Sequence, residues 1–210
     1  MEQDEEKTIL KLDHHIGSRV LTNFYRTTAK FAKLESKLIN YSQYLSLFKG
    51  ELNIHSSTKL LFRSSRDGFS LSDFHSRCDN QPKLVIIVKA QRGELFGGYT
   101  SQNINVALNC SSDSVRDNDS FTFQFGGEKL YVFRLLPSRL EHALHRYSSS
   151  YLFAFSFSFW IGDNANHQTL SSSHGQTEEN ILPEGRLPPG KQYFGGMNFL
   201  IEDMEVFKIE

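Results

Sequence analysis

Residues Leu60–Asn80 read LLFRSSRDGFSLSDFHSRCDN. Lys59 to Arg63 is a short apolar run with the look of a buried strand. Arg66-Asp67-Gly68 then supplies turn chemistry, because Asp accepts backbone N–H groups and Gly tolerates positive φ. Ser70 is followed three residues later by Asp73, the spacing of a helix cap, and Leu71, Phe74 and Cys78 share one helical face. The stretch therefore predicts strand, turn and short helix in immediate succession.

Downstream the pattern stays β. Lys83 to Ala90 (KLVIIVKA) is the clearest strand, with Val and Ile at its centre. Gln91-Arg92-Gly93-Glu94 is a turn, returning as a strand through Tyr99. Ser120 to Phe125 and Lys129 to Leu135 flank Gly126-Gly127 as a tight hairpin. Tyr151 to Ile161 (YLFAFSFSFWI) alternates bulky and small side chains, which predicts one half-buried strand. Residues 164–190 are rich in Ser, His, Gly and Pro and read as a long loop. The terminal FLIEDMEVFKI ends in a strand. Short antiparallel strands with local connections predict an α+β fold: a two-sheet antiparallel β-sandwich with short peripheral helices.

Upstream the periodicity changes. Val20, Phe24, Thr27, Phe31, Leu34, Leu38, Tyr41, Leu45 and Phe48 alternate steps of four and three, the spacing of a coiled-coil seam. Gly50 follows where a helix would stop. This predicts a long N-terminal amphipathic helix over 1–50 leading into a domain over 51–210. The helix has three possible destinations: its own domain, another copy of the chain as a homo-oligomeric coiled coil, or a partner's groove.

Composition excludes several classes. Eighteen Phe in 210 residues argue for a packed core and against disorder. A net charge of −1 gives no global field to hold nucleic acid. Cys78 and Cys110 are too few for a disulfide framework or a four-cysteine zinc site, and favour a reducing compartment. The acidic N-terminus lacks secretory or transit character, and no apolar stretch is long enough to span a bilayer. The expected location is cytoplasmic.

Candidate chemistry is sparse. His75 and Cys78, three apart on one helix, would make half a zinc site, but no second ligand pair has metal spacing. A thiol enzyme using Cys78 and His75, or a hydrolase using acidic residues, is the catalytic alternative. No G-x-S-x-G elbow is present, and a Cys and His on one short helix are poorly disposed as nucleophile and base. Neither a catalytic centre nor a metal or other cofactor is expected. Gly97-Gly98 reads as a bulge or close sheet crossing, since a phosphate loop wants a following helix.

Several blocks together resemble the TLDc domain. Ser64-Ser65-Arg66-Asp67-Gly68-Phe69 matches its S-x-x-D-G-F/Y turn, and Phe74, His75, Cys78 and Asp79 match its F-H-x-x-C-D helix end. Phe96-Gly97-Gly98-Tyr99-Thr100-Ser101, Asp119 to Phe125 and Phe199 to Phe207 resemble later blocks in the family's order. Together they cover roughly the last 160 residues. Two departures stand out: Asn103-Ile104 where the family has Trp, and Phe155-Ser156-Phe157-Ser158 where it has a glycine run. The resemblance implies a non-catalytic protein-binding module. It also implies a role in resistance to oxidative damage, or in binding the vacuolar proton-pumping ATPase and promoting its disassembly. The contact elements it suggests are the Arg66-Asp67-Gly68 turn, Gly97-Gly98, and the acidic Glu202, Asp203 and Glu205. A structural component held in an assembly through the seam residues Val20, Phe24, Phe31, Leu34, Leu38 and Leu45 is the alternative.

Overall fold

A computed structural model describes residues 36–210 apart from 55–56, 106–111, 148, 169–170, 174–179, 183–186 and 188–192. Within these limits the chain forms two antiparallel sheets and a few short helices. Helix α1 (Tyr41–Tyr44) continues as a wider π-type turn over Leu45–Glu51. Then come β1 (Thr58–Arg63), α2 (Ser64–Asp67), α3 (Leu71–Cys78), β2 (Leu84–Ala90) and β3 (Leu95–Thr100). The chain goes on through β4 (Ser112–Val115), β5 (Phe121–Gly126), β6 (Lys129–Phe133), β7 (Leu144–Tyr147) and β8 (Tyr151–Phe155). It ends with β9 (Phe159–Gly162), β10 (Ser172–Ser173) and β11 (Ile201–Ile209). One sheet has the order β1-β11-β2-β3-β5-β6 and the other β10-β9-β8-β7-β4.

The inner faces of both sheets share one core. Leu84, Ile86 and Val88 of β2, and Met204 and Val206 of β11, meet Phe153 and Phe155 of β8 and Phe159 and Ile161 of β9. Its centre is aromatic: Phe96 lies 5.0 Å from Phe159 and 5.5 Å from Phe194, ring centre to ring centre. Ile104, one of the residues standing where the family has Trp, is buried in this core. Gly98 makes the close sheet crossing possible. A Cβ there would lie 2.5 Å from the Phe155 ring. Phe155 thus fills the hollow above a glycine on the facing sheet, and its bulk fits within the sandwich.

The six-stranded sheet is buried on its second face too. Val85 and Ile87 alternate with the inward residues of β2, so they face outward, yet neither is exposed. The cover is the segment Ser36–Ile54. Its Leu47 and Phe48 are fully buried, and Phe48 meets Phe207 of β11 edge-on at 6.1 Å. Polar ties anchor the first part of the cover. The Ser36 hydroxyl donates to Glu205 of β11 at 2.6 Å, and the Gln43 amide to the Gly127 carbonyl in the β5–β6 hairpin at 3.0 Å. Gly97 belongs to this outer layer. A Cβ on it would lie 1.9 Å from the Ile86 carbonyl oxygen and 2.7 Å from the Phe123 ring.

The described residues depart from several of these expectations. The long N-terminal helix is not what the described residues form. Residues 36–40 are non-helical, and Asn40 caps α1 in a reciprocal box with Gln43. Leu38 therefore precedes the helix and Leu45 lies in the π-type turn, so the two do not share one seam. Val20, Phe24, Phe31 and Leu34 lie outside the described residues. The expected boundary at residue 50 falls inside the Leu45–Glu51 helix, and Ser36–Glu210 is one compact unit.

Tyr151 to Ile161 is a hairpin rather than a single strand. Phe155 pairs with Phe159 across a turn in which Phe157 has φ +62°. The long loop also contains structure: β10 pairs with β9, and Ile181 bridges to Leu135.

Candidate functional site

The blocks 60–80 and 199–207 are far apart in sequence and adjacent in space, because β1 and β11 pair with Arg63 opposite Glu205. Glu205 sits between Met204 and Val206 in an apolar strand and is fully buried. A charge in that position needs partners, because removal from water costs several kcal/mol. Its Oε1 accepts from Arg63 Nε and from the Lys37 backbone N–H, each at 2.8 Å, and its Oε2 accepts from Ser36. Asp203 is likewise enclosed. It accepts from the Ser64 hydroxyl at 2.7 Å, the Ser65 hydroxyl at 2.6 Å, and the backbone N–H groups of Ser65 and Met204.

The turn after β1 is braced in the same way. Asp67 accepts from the Arg63 N–H at 2.9 Å and is clamped by Arg66, with Arg77 at 3.3 Å. The Arg66 hydrogen bonds hold its carboxyl below the usual range, helped by the Arg63 N–H and the two positive charges; burial opposes them. Gly68 follows at φ +110°, where a Cβ would fall 2.1 Å from the Asp73 carboxylate. That carboxylate closes a capping box with Ser70 at the start of α3. The turn thus fixes the angle between β1 and α3.

Of the proposed contact residues, Gly97, Gly98, Asp203 and Glu205 are enclosed by the fold. Gly97-Gly98 lies within β3. Arg66 is exposed, and Glu202 pairs at the surface with Lys89 at 2.8 Å. The sequence reading missed Arg63, Ser64 and Ser65 as partners of the acidic strand. The available signal was Glu205 itself, a lone charge inside an apolar strand.

Cys78 is fully buried against the core, and burial pushes its thiol far above the ordinary range, with Asp79 and Asp67 adding to the effect. His75 Nδ1 lies 2.6 Å from Asp79, while its buried Nε2 has no partner among the described residues. Cys110 lies outside them. Among the described residues no group of three or more His, Cys, Asp or Glu is placed to hold a metal ion, and no helix is long and apolar enough to cross a membrane.

A search of curated proteins finds no match. The family model for the TLDc domain matches residues 32–210, beginning just before the Ser36–Glu205 tie and running to the last residue. With the match extending over most of its length, the chain belongs to the TLDc domain family.

Proposed function

We propose that this domain is a non-catalytic protein-binding module that serves the roles expected of its family, in oxidative-stress resistance or regulation of the vacuolar proton-pumping ATPase. One observation carries the reading. The carboxylates at the signature corner, Asp67, Asp203 and Glu205, are all engaged by donors that belong to the fold. A general base or nucleophile needs a group free to meet substrate. The thiol beside them is buried and held protonated, so Cys78 is a packing residue rather than a peroxide-reducing one. Resistance to oxidation would then be exerted through a partner. Affinity purification of the full chain from eukaryotic cell extract is the test. Recovery of subunits from the pump's peripheral sector is expected, and their consistent absence would refute the pump assignment.

A further inference from the structure

Where the β8–β9 turn meets β5, a cavity of about 10 Å³ lies between the two sheets. Ser120 and Thr122 line it from the β5 side and Ser156 and Ser158 from the turn, with Phe133 and Phe155 among the apolar walls. Ser120, Thr122 and Ser158 are buried. The volume is close to the least that admits one water molecule, and it excludes any ligand of several heavy atoms.

The hydroxyl hydrogens around this cavity do not balance. Ser120 gives its hydrogen to the Asp117 carbonyl at 3.1 Å. Thr122 and Ser158 share one hydrogen bond, also of 3.1 Å, so one of the pair donates and the other keeps its hydrogen unanswered among the described residues. The Ser156 hydroxyl is buried and has no partner among them. Two donors are therefore left over, where an unmade hydrogen bond is costly. The turn that carries Ser156 is pinned. Its N–H donates to the Ala143 carbonyl at 3.1 Å, and the next residue, Phe157, sits at φ +62° with the Arg139 guanidinium 5.2 Å from its ring.

We propose that this cavity binds one resident water molecule that bridges the two sheets. The water oxygen accepts from Ser156 and from the free member of the Thr122–Ser158 pair, which answers both leftover donors. Its own hydrogens go to lone pairs on Ser120 and on that pair. The same count selects the ligand class. A metal cation would take lone pairs and answer neither donor, and no carboxylate lines the cavity to balance its charge. An anion would be buried without a counter-charge. Water is neutral, both donates and accepts, and fits the volume. So placed, it ties the β8–β9 turn to β5 and helps to hold Phe157 in left-handed backbone, a conformation that persists only where its surroundings over-determine it. This site is independent of the protein-binding reading.

A high-resolution crystal structure of the full chain is the first test. One solvent oxygen is expected within hydrogen-bond distance of Ser156 Oγ and of Thr122 Oγ1 or Ser158 Oγ. A dry cavity with the Ser156 hydroxyl bonded to a protein atom, or an ion in the water's place, overturns the proposal. Water ¹⁷O relaxation dispersion then counts long-lived internal waters in solution, undisturbed by exchange of hydroxyl protons. Wild type is expected to hold about one more than Thr122→Val/Ser156→Ala, which strips two of the water's hydroxyl partners. Equal counts in the folded double variant overturn the resident water. If that variant does not fold, the wild-type crystal structure alone decides.

Discussion

Replacing Phe48 by Ala separates two views of the N-terminal segment: a cover belonging to the domain, or the end of an oligomerising helix. Phe48 is fully buried, stacks on Tyr44 at 5.2 Å and meets Phe207 at 6.1 Å. Losing the transfer free energy of a buried Phe costs about 2–3 kcal/mol. The cavity left behind brings typical Phe→Ala losses to about 3–5 kcal/mol, and the two ring contacts place this site in the upper half. For a domain of this size, about 4 kcal/mol corresponds to a fall in Tm of roughly 8–16 °C. Leu45→Ala is the control. Leu45 is only half-buried, so about 1–2 kcal/mol is expected. Thermal unfolding gives the stabilities, and sedimentation of the same samples gives the mass. Phe48→Ala should lower Tm sharply at unchanged mass. Equal small losses for both variants, with a drop in oligomer mass, would refute the cover and restore the seam.

Other outcomes follow from the same contacts. Gly97→Ala should destabilise the fold by more than about 3 kcal/mol, because the new Cβ meets the Ile86 carbonyl oxygen at 1.9 Å in backbone that cannot rotate away; urea unfolding reads this directly. Asp67 has a folded-state pKa below its ordinary 3.8, so the stability it contributes is present above 3.8 and is lost as pH falls through the folded value. Asp67→Asn should therefore be less stable than wild type at neutral pH and converge with it in acid, as acid titration of the unfolding midpoint will show. Cys78 should resist thiol reagents in the folded protein and react once urea unfolds it; rapid labelling at neutral pH in the native state would restore the thiol-enzyme alternative.

What was legible in the sequence was local. The Ser70–Asp73 cap, the Val and Ile of β2, and the glycine tip of the β5–β6 hairpin each carry their signal within a few residues, and each element forms as expected. The β8–β9 turn was hidden because Phe157 occupies a left-handed position where Gly or Asn would have announced it. The end of the expected seam, Leu38 to Phe48, differs for another reason. Its last member, Phe48, is apolar because it covers the outer face of a sheet together with Tyr44 and Leu47, and a helix lying on a sheet shows much the same periodicity as one in a coiled coil. Acidic residues in the terminal strand read as surface charges, since the pairing of Arg63 with Glu205 depends on a register no local pattern reveals.

The roles assigned to the signature charges can be tested with Glu205→Gln, measured for both stability and capture of pump subunits from extract. Neutralising Glu205 removes the carboxylate that buried Arg63 pairs with, and breaking a buried pair costs about 3–5 kcal/mol. A brace predicts a markedly lower Tm, with capture preserved well below that temperature. An unchanged Tm with capture abolished would place Glu205 in the working surface and contradict the account.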